Sequence, residues 1–127
     1  MNAVFLVFAG AGIGGVARHL VNLGCARICG AVFPWGTLAV NIVGCMLMGL
    51  LIGWLALRAG AAWTQDARLF LGTGVLGGFT TFSAFSLDAM QLFERGEMSL
   101  ALGYVLASVV LSIAALAFGL ALVRVLT

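Results

Sequence analysis

The sequence predicts an all-α membrane protein with four transmembrane helices. Of its 127 residues, 64% are hydrophobic and only 8% are charged, whereas a soluble domain carries roughly a quarter charged residues. Four apolar segments are long enough to cross a hydrocarbon core of about 30 Å, which takes roughly 20 helical residues. Short linkers separate them, as between antiparallel neighbours in a bundle. We therefore expect a single four-helix domain over residues 1–127.

The sequence places the four spans at about residues 3–26, 33–57, 68–92 and 98–123. No basic stretch precedes the first span, so we interpret it as a membrane helix rather than a cleaved signal. The second span begins near Pro34, which suits the first turn of a helix, and carries no charge. Trp35, Trp54 and Trp63 fall near span ends, where amphipathic rings favour the membrane interface.

The third span is expected to be broken near its middle. Its stretch GVLGGFTTFSAFS crowds small and hydroxyl residues between phenylalanines. Gly77 and Gly78 would loosen the helix, because glycine is a weak helix former. The backbone groups freed in this way would pair with the hydroxyls of Thr80, Thr81 and Ser83. A break of this kind exposes ligands at mid-membrane, as channels and transporters do.

The arginines are split almost evenly between the two ends of the expected bundle. Four spans put both termini on one side with the second linker, so that side holds Arg58, Arg68 and Arg124. The opposite side holds Arg27 and Arg95, and Arg18 in the first span can reach toward it. The positive-inside rule then fixes no orientation. A chain that inserts both ways can form an antiparallel dimer from one sequence, so the charge map permits a dual-topology homodimer.

Several motif matches arise by chance from the amino-acid composition and do not indicate a binding site. GAGIGG and GTGVLG match a dinucleotide fingerprint, but they lie in expected membrane spans rather than between a strand and a helix. Cys25, Cys29 and Cys45, with one histidine in the chain, lack the spacing of a zinc site. Cys25 and Cys29 are interpreted as small buried thiols. Gly10 and Gly14 have the small-xxx-small spacing that lets membrane helices approach closely.

Composition and placement of charge also exclude catalysis and nucleic-acid binding. The four acidic residues are expected at or beyond span ends, and they are Asp66, Asp88, Glu94 and Glu97. His19 has no evident partner, so no nucleophile, base and orienting group can be assembled. A net charge of +2 from scattered arginines is no nucleic-acid patch. We predict that the chain is not an enzyme.

Uncharged polar residues form two stripes within the spans. Thr37 and Asn41 are four residues apart, and Tyr104, Ser108 and Ser112 follow at the same spacing on the fourth span. Hydroxyls and amides in hydrocarbon cost free energy unless they have a partner. One interpretation is hydrogen bonding between helices. Two stripes beside a broken helix favour the alternative, a conduction path.

The residues of this path favour a small anion. No carboxylate is expected inside the spans, so a cation path or proton relay lacks its usual groups. The available side chains are donors, namely hydroxyls, the Asn41 amide and Arg18. Phe82 and Phe85 are three residues apart after the break, and the edge of an aromatic ring carries positive potential.

Three stretches, GIGGVARH, GTLAVNIVGCMLMG and GVLGGFTTFSAFS, resemble the signature sequences of the Fluc-type fluoride channels, also called camphor-resistance proteins. The resemblance covers essentially the whole chain. It implies a dual-topology antiparallel homodimer with two pores in a bacterial plasma (inner) membrane, with fluoride and membrane lipid as its other partners. It also implies a structural sodium ion held by backbone carbonyls at the break, at Gly77 and Thr80.

The same resemblance assigns the fluoride pathway to particular positions. The pore asparagine falls on Asn41, and the facing rings fall on Phe82 and Phe85. The hydroxyl track falls on Thr81, Ser83, Tyr104, Ser108 and Ser112, and Thr37 extends the stripe of the second span. Arg18 matches the first-span arginine, and with Gly78 it is assigned a structural or electrostatic role. Two positions differ from the usual pattern, with histidine at His19 and alanine at Ala84.

The implied function is passive export of fluoride. Hydrogen fluoride enters the cell and dissociates in the less acidic cytoplasm, and the trapped anion leaves through the channel. One alternative is a small dual-topology multidrug or cation exporter. Its mechanism resembles proton-coupled antiport through a glutamate embedded in the membrane. The first span contains no glutamate. Another alternative is a structural membrane subunit that associates through small-xxx-small contacts.

Overall fold

The computed structural model describes residues 2–127, and Met1, where the expected domain begins, lies outside the described residues. Within that range the chain is all-α, and four helices are long and apolar enough to cross a membrane. They are α1 (Ala3–Cys29), α2 (Trp35–Ala56), α3 (Thr64–Glu94) and α4 (Met98–Leu126). The expectation of four apolar spans in an all-α chain is confirmed.

Local signals account for several helix ends. The side chain of Asn2 caps α1, because its oxygen accepts a hydrogen bond from the Val4 N–H at 2.9 Å. Gly30 ends the same helix with a φ of 81°, a backbone conformation that glycine adopts readily. The Arg95 guanidinium in the α3–α4 turn donates to the Val32 carbonyl in the α1–α2 linker at 3.1 Å. The first and third linkers therefore lie at the same end of the bundle, as was expected when the arginines were assigned to its two ends.

The bundle consists of two closely packed helix pairs. The first half of α3 lies along α1, and α4 lies along α2. Gly10 and Gly14 of α1 are buried, and a methyl group on Gly10 would lie 2.9 Å from the Cα of Gly74. The predicted close approach at this glycine pair is confirmed. In the second pair, a methyl group on Gly119 would lie 2.9 Å from the backbone nitrogen of Leu50.

The third helix is irregular over most of its first half. After an α-helical turn, Thr64–Ala67, it is π-helical over Arg68–Leu76 and α-helical again over Gly77–Phe79. Such wide turns are rare and often occur at functional sites. Nothing in the sequence analysis predicted the π-helical segment.

The predicted break in α3 is present, but two residues farther along than the glycines. Thr80 and Thr81 are extended, with φ and ψ of −83° and 158° and of −155° and 118°. Gly77 and Gly78 remain helical, so the expectation that these glycines loosen the helix is wrong. A methyl group on Gly78 would lie 2.9 Å from the Cα of Ala11, and this glycine therefore serves helix packing.

A small core lies between α2, the second half of α3 (Phe82–Glu94) and α4. Its buried members are Leu38, Phe85, Leu92, Ala101 and Tyr104. Most other large apolar side chains of the described residues point outward. An apolar exterior is expected of helices that face lipid or a second protein chain.

Candidate functional site

The side chain of Asn41 on α2 bridges the break in α3. Its amide oxygen accepts a hydrogen bond from the Thr81 N–H at 2.8 Å, and its amide nitrogen donates to the Thr81 carbonyl at 3.0 Å. One side chain therefore replaces both main-chain partners that Thr81 would have in a continuous helix. Because unpaired backbone groups are costly in hydrocarbon, this pairing stabilises the extended residues inside the bundle.

The two threonine hydroxyls of the break also bind neighbouring backbone groups. Thr80 Oγ1 donates to the Leu76 carbonyl at 2.9 Å. Thr81 Oγ1 accepts from the Ala84 N–H at 3.1 Å and so caps the second half of α3. The expectation that these hydroxyls satisfy freed backbone groups is confirmed for Thr81 only, because the Leu76 carbonyl also accepts its helical donor, the Thr80 N–H, at 2.9 Å. Ser83 differs, because it is exposed and its Oγ lies 3.3 Å from Thr81 Oγ1.

These hydrogen bonds take away the usual donors of two backbone carbonyls. In a continuous α-helix, the Gly77 carbonyl would accept from the Thr81 N–H, and the Thr80 carbonyl would accept from the Ala84 N–H. Here the Thr81 N–H donates to Asn41 and the Ala84 N–H donates to Thr81 Oγ1. The affected carbonyls belong to the two residues predicted to hold sodium, and carbonyl oxygens suit a hard cation.

A cavity of about 340 Å³ lies beside the break, and we call it the break cavity. Side chains of α2, α3 and α4 line it. It brings together most of the predicted site residues, namely Asn41, Thr80, Thr81, Phe82, Phe85, Ser108 and Ser112. No acidic residue is found among the described residues of its lining. The lining is therefore mostly aromatic and aliphatic, with a small polar wall formed by Asn41, the two threonines and the two serines.

Two hydroxyls of the polar wall are unpaired. Ser108 is 5% exposed, and the Oγ atoms of Ser108 and Ser112 are both buried without a hydrogen-bond partner in residues 2–127. Leaving a buried hydroxyl unpaired costs about 1–3 kcal/mol. Both residues line the break cavity, but the hydroxyl oxygens themselves are buried just behind its surface.

The two phenylalanines of the predicted pathway differ in exposure. Phe82 is 78% exposed and Phe85 is 8% exposed, and both line the break cavity. Their ring centroids are 5.4 Å apart, with the planes tilted by 54°. Phe85 also packs against Tyr104, at a centroid distance of 5.3 Å. The inner ring is thus held by its neighbours, and the outer ring lies at the surface of the single chain.

The remaining predicted residues lie outside the lining of the break cavity. Tyr104 is fully buried behind Phe85, and Thr37 is buried on α2. Arg18 is partly buried on α1. The other predicted residues that do not line the cavity are Ser83, Gly77 and Gly78.

One acidic residue lies deeper in the bundle than predicted. The second half of α3 continues to Glu94, so Asp88 lies within the helix instead of at its end. Its carboxylate accepts a hydrogen bond from the Tyr104 hydroxyl at 3.2 Å. The expectation that Asp88 lies at a span end is therefore not matched by the helix, which continues to Glu94. Asp88 is not part of the lining of the break cavity, so the donor character of that site is unchanged.

Cys45 is a residue of the cavity wall that the sequence analysis missed. The available signal was its spacing, because Thr37, Asn41 and Cys45 follow at intervals of four on one helix face. Of the other thiols, Cys25 is partly buried and Cys29 is exposed, so the expectation of burial is wrong for Cys29. Among residues 2–127, no group of three His, Cys, Asp or Glu side chains could hold a metal ion.

Comparison with known proteins supports the resemblance seen in the three motifs. Residues 5–120 match the family described as CrcB-like protein, Camphor Resistance (CrcB). The chain is 57% identical over 122 residues to "Fluoride-specific ion channel FluC 2" of Nitrobacter hamburgensis, covering 96% of this chain and 97% of that protein. It is 58% identical over 124 residues to "Fluoride-specific ion channel FluC" of Agrobacterium fabrum, covering 98% of each.

A third relative extends over slightly more of the sequence. The chain is 53% identical over 126 residues to "Fluoride-specific ion channel FluC" of Granulibacter bethesdensis, covering 99% of this chain and 98% of that protein. Four apolar helices and relatives of this kind identify a multi-pass bacterial membrane protein. With a family match over nearly its whole length and relatives this similar, the chain belongs to the CrcB-like, camphor-resistance family.

Proposed function

We propose that this protein is a fluoride-selective ion channel that exports fluoride passively across the bacterial plasma membrane. The observation that carries the proposal is the break cavity, where the unpaired hydroxyls of Ser108 and Ser112 lie beside a break bridged by Asn41. The names of the relatives support fluoride as the permeant ion. They also agree with the prediction that the chain is not an enzyme.

The chemistry of the cavity favours a small, strongly hydrated anion. Hydroxyl donors can replace part of the hydration shell that fluoride loses on entering the membrane, as carbonyls do for cations in potassium channels. The edges of Phe82 and Phe85 supply further positive potential. A cation would meet no carboxylate among the described residues of the lining. The site residues therefore remain predicted ligands of an anion path.

Fluoride efflux from proteoliposomes tests the proposal. Purified protein in liposomes loaded with fluoride is expected to release it rapidly once a potassium ionophore relieves the membrane voltage, and to retain chloride. The selectivity follows from a site with few, closely placed donors. Ion-selective electrodes measure both anions, with protein-free liposomes as the control. Equal fluoride and chloride rates, or no fluoride release from folded protein, would contradict the proposal.

We also propose that a structural sodium ion binds at the break. The carbonyls of Gly77 and Thr80 have lost their helical donors to Asn41 and Thr81 Oγ1, so their oxygens are free to face a hard cation. Gly77 is exposed on the single chain, which allows a second copy to complete the coordination. A bound cation would supply a positive charge that lowers the cost of bringing anions into the membrane.

The third part of the proposal is an antiparallel dimer with two pores. Exposed Phe82, which lines the break cavity, and exposed Gly77, in the last helical turn before the break, support a second copy as the cover of this face. The nearly even distribution of arginines supports insertion in both orientations. The rest of the apolar exterior would contact membrane lipid.

A lysine tail added after Thr127 tests the dimer. Because positive charge is retained on the cytoplasmic side, the tail is expected to force one orientation and to abolish fluoride efflux when that variant is expressed alone. Co-expression with a variant biased the other way is expected to restore efflux. An active variant with uniform orientation would refute the antiparallel arrangement.

Removal of sodium tests the proposed ion at the break. The dimer is expected to dissociate more readily after sodium removal, measured by size-exclusion chromatography.

A further inference from the structure

One wall of the break cavity carries a thiol. Cys45 lines the cavity, and its side chain is partly exposed. It lies one helical turn beyond Asn41, on the same face of α2. Cys25 and Cys29 lie on α1 and are not part of the lining. A reagent that enters the cavity would therefore meet a single thiol there.

The space in front of this thiol is suited to a ligand. The Ser108 side chain is buried, with 5% of its surface exposed, and its Oγ has no hydrogen-bond partner in the described part of the chain. Both Ser108 and Cys45 line the same cavity of about 340 Å³. Apolar side chains, including Val109 and Ile113, form the rest of this wall. A small neutral molecule with a polar end and an apolar end fits such surroundings.

We propose that Cys45 is a modification site at which a small, neutral, thiol-reactive electrophile closes the anion path. The inference rests on the proposed function, because it places Cys45 in the wall of that path. An alkylthio group attached to Cys45 would take up part of the cavity that Ser108 and Ser112 also line. It would occupy space and would replace polar surface with apolar surface, and apolar constrictions oppose ion passage.

The chemistry is a thiol–disulfide type of exchange with an alkyl methanethiosulfonate. The Cys45 thiolate attacks the sulfenyl sulfur of the reagent. A new disulfide bond forms between Cys45 and the alkylthio group, the sulfur–sulfur bond of the reagent breaks, and a sulfinate leaves with the bonding electrons. The thiol proton passes to water. The reagent itself is the oxidant, and a dithiol such as dithiothreitol reverses the reaction.

The test uses methyl methanethiosulfonate on the full protein in liposomes. A Cys25→Ser/Cys29→Ser double variant keeps Cys45 as its only thiol, and a Cys45→Ala variant keeps the other two. Fluoride efflux is measured before and after treatment, and mass spectrometry locates the methylthio adduct. In the double variant, most of the efflux is expected to be lost when the path is filled, and dithiothreitol is expected to restore it. The Cys45→Ala variant is expected to keep its own starting efflux after treatment.

Each other outcome overturns the inference in a recognisable way. An adduct on Cys45 with unchanged efflux would show that the thiol does not line the path. A Cys45 that reacts only after denaturation would show that the cavity is closed to small molecules in the assembled protein. No fluoride efflux from the untreated protein would instead refute the proposed function, and the claim of closure with it. Labelling would then still report whether the cavity is open to small molecules.

Discussion

Replacing Asn41 with aspartate is expected to abolish fluoride efflux and to lower the melting temperature. The substitution preserves the size of the side chain and an acceptor for the Thr81 N–H. It replaces the amide donor, now 3.0 Å from the Thr81 carbonyl, with a second acceptor. Leaving that carbonyl unpaired costs about 1–3 kcal/mol, and a carboxylate inside the membrane is costly in itself. A negative charge in the cavity wall would also repel the permeant anion.

Efflux from liposomes and thermal melting in detergent measure the two effects. The control is Asn2→Asp, because the Asn2 side chain also accepts a backbone N–H, that of Val4, but at an exposed helix start. Aspartate caps helices about as well as asparagine, so this variant is expected to resemble the wild type. A functional and equally stable Asn41→Asp protein would show that the donor half of the Asn41 pairing is dispensable.

The same variant offers a rescue by acid. Lowering the pH protonates the introduced carboxyl, which then carries an O–H that can donate to the Thr81 carbonyl. Part of the lost melting temperature is therefore expected to return as the pH falls, relative to the wild type at the same pH. Melting is the appropriate measurement, because hydrogen fluoride formed in acid crosses lipid without a channel. A deficit that is independent of pH would point to packing instead of the lost donor.

Replacing Phe82 with isoleucine is expected to reduce fluoride efflux while leaving the folded protein intact. The substitution keeps most of the apolar volume and removes the positive ring edge. Aromatic contacts are worth about 0.5–1.5 kcal/mol beyond burial, and about 1.4 kcal/mol corresponds to a factor of ten, so a fall of up to roughly tenfold follows. Because Phe82 is 78% exposed on the single chain, little stability is lost within it.

Phe8→Ile on α1 is the matched control, because Phe8 is 77% exposed and lies outside the break cavity. Its efflux is expected to be unchanged. Phe85→Ile is expected to reduce efflux and also to lower the melting temperature, since Phe85 is buried against Tyr104. Liposome efflux and melting curves of the three variants separate ring chemistry from packing. Wild-type efflux from both Phe82→Ile and Phe85→Ile would make these rings ordinary packing residues.

The membrane helices could be predicted from the sequence because they depend on the summed hydrophobicity of many residues. About 20 apolar residues in a row require a helix in hydrocarbon, whatever their neighbours are. The position of the break could be predicted only to within a few residues. Gly77 and Gly78 have weak helical propensity but remain helical, with Gly78 packed closely against α1, and Thr80 and Thr81 become extended instead. Packing overrode local preference at this point.

The side chains that hydrogen-bond to the break residues were harder to predict from the sequence. Asn41 was predicted as a pore donor, and the structure shows its amide also bonded to Thr81, forty positions away in the chain. Such a pairing depends on how α2 and α3 are placed against each other. The bond between Tyr104 and Asp88 has the same origin. By contrast, Cys45 could have been assigned to the cavity, because it continues the Thr37–Asn41 stripe.

The division of the bundle into two helix pairs has a mechanical consequence. The first half of α3 is fastened to α1, and the second half packs mainly on α4. Thr80 keeps a helical hydrogen bond to Leu76, but Thr81 is bonded to Asn41 instead of to the first half of α3, so Thr81 is the joint between the halves. A tilt of one pair against the other would be concentrated at this joint and would pull directly on the Asn41 amide. Any relative movement of the two pairs would therefore reach the break cavity first.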